Sequence, residues 1–159
     1  MSHKPVPLSL RRKSSARLAA VQCIYRIRVN DDNITPAELF DDYMAQWHDD
    51  KLSPNRAMSF DAEPDKPLFM KLLAGTVENR EHIDSIIKTS LNDKWKIERM
   101  SSLLTAIIAC AIYELKYTPA LNTVIIVNEY VTLTGRFFEL QEVGFVNGLL
   151  DVLSKELRS

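Results

Sequence analysis

The sequence of 159 residues predicts an all-α protein. Apolar residues recur at helical spacing along most of the chain, and no segment keeps the strict alternation of a β-strand. Only four glycines are present, which is few for a β-sandwich or a Rossmann sheet with their many tight turns. With 46% hydrophobic residues, the chain can bury a core as one domain, or as two small halves that share it.

Seven helices are predicted. The first begins near Ser9 or Ser14, either of which can cap it, and Thr35 followed by Pro36 is a favourable start for the second. The predicted ranges are about 9–29, 35–48, 67–79, 80–91, 98–115, 122–135 and 139–157. We expect residues 1–8 to be a disordered tail and residues 49–66, which are rich in charge, to be a loop.

The last two helices each carry an asparagine within an apolar stripe. Asn128 shares the i, i+3, i+4 and i+7 pattern with three valines, and Asn147 lies in a similar stripe. A buried amide without a partner costs about 1–3 kcal/mol. We therefore expect the two helices to cross at Gly148, with Asn128 and Asn147 bonded to each other or to the loop between them.

Charge is distributed unevenly along a chain whose net charge is −1. Residues 1–30 contain seven lysines and arginines and no acid, whereas residues 31–65 contain ten acids. Cations at the start of a helix oppose its dipole, so Arg11, Arg12, Lys13 and Arg17 are not placed for helix stability. A solvated basic tail is the alternative, but the charge pattern favours contact with a polyanion.

Several motifs resemble, in the same order along the chain, those of the NusB family of RNA-binding antitermination factors. Residues 145–151 (FVNGLLD) follow a helix with residues 127–129 (VNE), and residues 112–115 (IYEL) precede a turn at Pro119. Residues 20–25 and 69–75, together with Trp95, match further positions, so that the resemblance covers about residues 11–155. It implies one NusB-like helical domain over residues 9–159. Two three-helix halves, about 9–79 and 80–159, would pack across a long first helix.

The resemblance also implies a function and its partners. Members bind the single-stranded boxA element of ribosomal RNA leader transcripts together with NusE, a ribosomal small-subunit protein, within the RNA polymerase antitermination complex. Tyr25 and Leu104 match the region that contacts the partner, although Leu104 replaces an acidic residue and can form an exposed apolar patch with Leu103. The choice between monomer and homodimer stays open.

Aromatic residues near the last helix are candidates for base stacking. Phe137 and Phe138 follow Gly135, and Phe145 matches a position that the family places next to RNA. We expect one of Phe137 and Phe138 to be exposed, and Arg136 to contact phosphate. Gly144 stands where the family usually has a basic residue, which removes one expected phosphate contact.

No catalytic or metal-binding pattern is present in the sequence. The three histidines lack metal-ligand spacing, and we expect His48 and His82 at the surface near helix ends. Cys23 and Cys110 lie in apolar helical segments and are expected to be buried, reduced thiols. No apolar run reaches membrane length and no signal sequence is visible, so we expect a cytoplasmic protein without cofactors.

Two other functions were weighed against antitermination. The first is an RNA-binding domain like that of ribosomal RNA cytosine methyltransferases, which the lack of a following catalytic domain disfavours. The second is a helical protein-interaction module without RNA binding, whose contact would be Leu103 and Leu104.

Overall fold

The computed structural model describes residues 5–30, 33–49, 62–91 and 96–158. Within these ranges there are seven α-helices, a short 3₁₀ helix and no strand, which confirms the predicted class. The helices are α1 (Leu8–Asn30), α2 (Pro36–Asp49), α3 (Lys66–Glu78), α4 (Arg80–Ser90), α5 (Ser102–Tyr117), α6 (Thr123–Phe137) and α7 (Leu140–Leu157). None of the described helices is long and apolar enough to cross a membrane.

The predicted boundaries differ from the observed ones chiefly at α5. The chain forms the 3₁₀ helix Ile97–Arg99 first, and α5 begins only where the Ser101 hydroxyl accepts from the amide of Leu103 at 3.1 Å. At α2 the predicted cap is confirmed, because the Thr35 hydroxyl accepts from the Glu38 amide at 3.1 Å, and the Glu38 carboxylate accepts from the Thr35 amide. Trp95, most of the predicted loop and half of the predicted tail lie outside the described residues.

Helix α5 is the centre of the molecule. Its side chains are buried from Leu104 to Leu115 without interruption, because α1, α3, α4, α6 and α7 all pack against it. A helix that is enclosed on all sides must be apolar all round, which explains the continuous hydrophobic run in the sequence. Helix α1 packs mainly against α3 and α5. Helices from the N-terminal and C-terminal halves of the chain therefore meet at α5, and not only at α1 as expected from the sequence.

The segment before α3 is attached to the start of α1. The Asp65 amide donates to the Arg12 carbonyl at 3.0 Å, and Arg12 Nε donates to the Glu63 carbonyl at 3.3 Å. Ala62 is buried at the beginning of the same segment. Arg12 therefore holds a neighbouring chain segment with both its backbone and its side chain.

The two cysteines are confirmed as buried free thiols. Burial raises the pKa of Cys23 and of Cys110 to about 12 in each case. A thiol with such a pKa carries little thiolate at neutral pH, so neither cysteine is an activated nucleophile.

The prediction that Asn128 and Asn147 form a buried pair is wrong. Both side chains are exposed, as is Gly148, and a Cβ atom added at Gly148 would meet nothing within 4 Å. The buried face of α6 is formed instead by Ile126, Tyr130, Leu133 and Thr134. Apolar residues occupy both sides of this helix, so their spacing alone did not indicate which side faces α5.

Close packing occurs at a different glycine, and this difference is testable. A Cβ atom at Gly75 would overlap the ring of Tyr113, which is itself buried on α5. We expect Gly75→Ala to lower the free energy of unfolding by about 1–3 kcal/mol because the ring must move. The control, Gly148→Ala, should raise it by up to about 1 kcal/mol, since alanine is the better helix former. Urea denaturation measures both, and equal effects would contradict the packing described here.

Candidate nucleic-acid interface

An ion pair in the interior joins α1 to α5. Arg17 Nε and Nη2 donate to the two carboxylate oxygens of Glu114 at 2.6 and 3.1 Å, and the Tyr130 hydroxyl donates to the same carboxylate at 2.6 Å. All three residues are buried, and Arg17 is only 3% exposed. The geometry is the bidentate one in which a guanidinium binds a carboxylate most strongly.

The surroundings keep this arginine charged. Burial by itself would lower the pKa of Arg17, but the hydrogen bond to Glu114 and the nearby negative charges more than offset it and raise the pKa above its ordinary value. Burial and the Glu114 charge also raise the pKa of Tyr130 well above its ordinary value, so its hydroxyl stays a donor. The prediction that Arg17 contacts RNA is therefore wrong, because its guanidinium is committed to the core.

Glu129 extends this cluster toward the surface. The Ser14 hydroxyl shares its single proton between the two carboxylate oxygens, which lie 3.0 and 2.9 Å from its Oγ, and Arg17 Nη1 lies 3.4 Å from one of them. The Glu129 side chain is 23% exposed. A continuous set of polar contacts thus runs from Tyr130 in the core to a carboxylate that solvent can reach.

A groove opens where the start of α1 passes α6. Its volume is about 540 Å³, within the range of about 300–1,000 Å³ that is usual for ligand clefts. The described residues that line it are Val6, Arg11, Ser14, Ile125, Asn128, Glu129, Thr132 and Arg136. Arginine from both helices, exposed apolar side chains and one carboxylate therefore face the same space.

The structure brings together two of the predicted phosphate contacts. Arg11 is half-buried, with Nε donating to the Val6 carbonyl at 3.2 Å, and Arg136 is exposed on α6. Lys13 is exposed near the same end of α1 but does not line the groove, and Arg12 holds the segment before α3. Of the three consecutive basic residues at positions 11–13, only Arg11 therefore lines the groove.

The three phenylalanines near the last helix are all partly buried. Phe137 and Phe138 are both half-buried and pack against the core, so the expectation of one buried and one exposed ring is wrong. Phe145 is also half-buried on α7. None of the described residues that line the groove is aromatic, and base stacking by Phe138 or Phe145 stays a prediction.

The two predicted partner contacts differ in exposure. Tyr25 is 40% exposed near the end of α1, where a second protein can reach it. Leu104 is only 2% exposed, because the first turn of α5 is already enclosed by the bundle. Leu103 is half-buried and packs against the core, so the expected exposed patch of two leucines does not exist.

The cations near the end of α1 have acidic partners. Arg28 Nη2 lies 2.6 Å from Asp84 of α4, and Arg26 lies 3.4 Å from Asp42 of α2. These two arginines are therefore engaged with α2 and α4, on the part of α1 that lies away from the groove.

Arg17 was assigned a different role from the sequence, and Glu114 was not singled out, although the sequence contains a signal for their buried pair. Arg17 occurs at helical spacing with Ala20, Val21 and Ile24, and Glu114 occurs likewise with Ile107, Cys110 and Ala111. A cation and an anion that each interrupt an apolar stripe predict a buried pair, because neither is tolerated there alone. The sequence contains no comparable signal for the groove, because the groove exists only where the start of α1 meets α6.

The histidines and possible metal ligands were predicted to be scattered. His48 and His82 are exposed on α2 and α4, as predicted. No group of three histidine, cysteine or acidic side chains that could hold a metal ion occurs among the described residues.

Comparisons with known proteins find relatives over most of the chain. The family model described as the NusB family matches residues 14–155. The transcription antitermination protein NusB of Caulobacter vibrioides is 31% identical over 92% of this chain and 94% of its own length. That of Nitrobacter winogradskyi is 28% identical over 93% and 88%.

Solved structures show the same fold. NusB from T. maritima superposes with a TM-score of 0.73 at 22% identity, covering 98% of this chain and 96% of that one. The antitermination factors NusB and NusE in complex with dsRNA include a chain that matches with a TM-score of 0.71 at 24% identity. That match covers 92% of this chain and 98% of that one.

The role of Arg17 in the core leads to a stability test. We expect Arg17→Ala to lower the free energy of unfolding by about 3–5 kcal/mol, because it leaves the Glu114 charge buried without its partner. Lys13→Ala, which removes an exposed cation one turn earlier, should stay within about 0.5 kcal/mol of the unsubstituted chain. Chemical denaturation compares the two, and a mild effect of Arg17→Ala would show that the pair is solvated.

Proposed function

The chain belongs to the NusB family, and on that premise we propose that it is a transcription antitermination factor. It binds the single-stranded boxA element of ribosomal RNA leader transcripts jointly with NusE, and it acts within the RNA polymerase antitermination complex. Relatives from several bacteria carry the name transcription antitermination protein NusB over nearly the whole length of this chain. A structural neighbour was solved with NusE and dsRNA.

The groove between α1 and α6 is the observation that supports RNA binding most directly. Arg11 and Arg136 reach it from two different helices, and Lys13 adds an exposed cation at the same end of α1. Phosphate contacts of this kind supply most of the affinity for a nucleic acid and fix its position. Exposed Val6 and Ile125 on the same groove offer apolar surface to unstacked bases, which favours a single strand over a duplex.

The surface for NusE is proposed at the end of α1, opposite the basic end. Tyr25 and Val29 are 40% and 52% exposed there, and an exposed tyrosine is a frequent centre of a protein interface. Leu104 is not part of this surface, since it is buried. RNA and NusE would thus use separate parts of α1.

The burial of Leu104 also bears on the alternative functions. The alternative of a protein-interaction module without RNA binding assumed an exposed contact at Leu103 and Leu104. That contact is absent, because both side chains pack into the bundle. An RNA-binding domain like that of the cytosine methyltransferases would bind RNA through the same groove of this chain but without NusE. Measuring RNA affinity with and without NusE therefore separates antitermination from both alternatives.

Arg11→Ala and Arg136→Ala should each weaken binding to a boxA-like single-stranded RNA. Each lost phosphate contact should also flatten the plot of log K against log salt by about 0.7. The control is Lys88→Ala, an exposed cation on α4 outside the groove, which should leave the slope unchanged. Fluorescence anisotropy at several salt concentrations gives both quantities. If all three variants behave alike, RNA does not bind in this groove.

Tyr25→Ala should weaken binding to NusE while leaving binding to RNA alone unchanged. Loss of an aromatic centre typically costs about 2 kcal/mol or more in a protein interface, which is roughly a 30-fold rise in Kd. Isothermal titration with purified NusE measures it, with Tyr117→Ala, another partly exposed tyrosine on α5, as the matched control. If only Tyr117→Ala lowers the affinity for NusE, then NusE does not bind at the end of α1.

A further inference from the structure

The groove that we propose for RNA contains a carboxylate, that of Glu129, whose charge has the same sign as an RNA phosphate. Glu129 lines the groove together with Arg11 and Arg136, and its negative charge repels any phosphate that comes close to it. Phosphates are therefore favoured beside the two arginines and disfavoured beside Glu129. This charge arrangement directs the backbone of a bound strand along the arginines and turns a base toward the carboxylate.

The Glu129 carboxylate is held in place before any ligand arrives. The Ser14 hydroxyl shares its one proton between both oxygens, at 3.0 and 2.9 Å, and Arg17 Nη1, whose guanidinium is bound to Glu114, lies 3.4 Å from one of them. An ionised carboxylate has about four acceptor sites and no donor, so these contacts leave it able to accept more hydrogen bonds. Its side chain is 23% exposed, which leaves it accessible from the groove.

The neighbouring side chains suit the rest of a base. Val6 and Ile125 provide exposed apolar surface for the flat faces of a ring. Asn128 is exposed and also lines the groove, and its amide can donate a hydrogen bond there. The groove thus contains both carboxylate acceptors and an amide donor, the two kinds of group that recognition of a base edge requires.

We infer that Glu129 is a specificity-determining residue that selects guanine at one position of the bound strand, with Asn128 beside it. Guanine alone presents two adjacent donors on its pairing edge, N1–H and the N2 amino group, next to the O6 acceptor. Adenine and cytosine place a ring-nitrogen acceptor beside their amino group, and uracil places carbonyls on both sides of its single N–H, so each would direct a lone pair at Glu129. This inference rests on the proposed binding of single-stranded RNA.

An inosine scan tests the inference on the unsubstituted chain. Each guanine of a synthetic boxA-like RNA is replaced in turn by inosine, which lacks only the N2 amino group, and affinities are measured by anisotropy. We expect one position at which inosine weakens binding about 5- to 150-fold, the usual value of a bidentate base contact. If every position tolerates inosine, Glu129 does not read guanine and the inference fails.

The Glu129→Gln variant then assigns the effect to this residue. It should remove the discrimination at that one position and bind the guanine and inosine strands alike, whereas Glu81→Gln, an exposed control on α4, should keep it. A uniform loss across all strands would overturn the inference, because it would mean that Glu129 only positions Ser14 and Arg17. Should Glu129→Gln not fold, Glu129→Asp replaces it, since it keeps the charge near Arg17 but withdraws the oxygens from the groove.

Failure of the inference and failure of the proposed function give different results. If the unsubstituted chain binds no single-stranded RNA at low salt, the proposed function fails and the inference fails with it. If it binds with a normal salt dependence but without discrimination between guanine and inosine, RNA binding stands and only the role of Glu129 is lost.

Discussion

The buried ion pair between Arg17 and Glu114 is the contact on which the arrangement of both ends of the chain depends. Apolar side chains pack almost as well after one helix slides slightly along another. A bidentate pair would be broken by the same slide, because both of its hydrogen bonds, here 2.6 and 3.1 Å long, require one relative position of the two helices. A pair of this kind often adds little net stability compared with apolar residues. Its effect here is to fix the position of α1 on α5, and Tyr130 adds α6 to the same point.

The groove is a consequence of that fixed position. Because Arg17 Nη1 also lies beside Glu129, the contact that holds α1 in the core sets where Ser14 and Arg11 stand relative to α6. A shift of one helical turn would separate Arg11 from Arg136 and leave Glu129 without Ser14. The polar cluster therefore connects the stability of the core with the shape of the groove, through side chains that touch one another.

The end of the chain is secured at the same region by Arg158. Its guanidinium donates to the carbonyls of Glu114, Leu115, Thr118 and Leu121, and to the hydroxyl of Thr123. Most of these groups belong to the end of α5 and the turn before α6, where helix carbonyls run short of backbone donors. The carbonyls of Glu114 and Thr118 also accept from backbone amides, and Arg158 adds a second donor to each, so the end of α7 is fastened to the turn that leads into α6.

The sequence by itself determined the helical class, the approximate position of all seven helices, the burial of Cys23 and Cys110 and the family, because these follow from local spacing and from motifs in order. Only the tertiary structure decided which side of each helix is buried. Asn128 and Asn147 lie outside although valines surround them in the sequence, while Leu104 and Arg17 lie inside. On α6, apolar residues on both sides gave two possible buried faces, and packing against α5 selected one. The groove depends on contacts between residues more than a hundred positions apart, such as Ser14 and Glu129, and no local pattern encodes a contact of that kind.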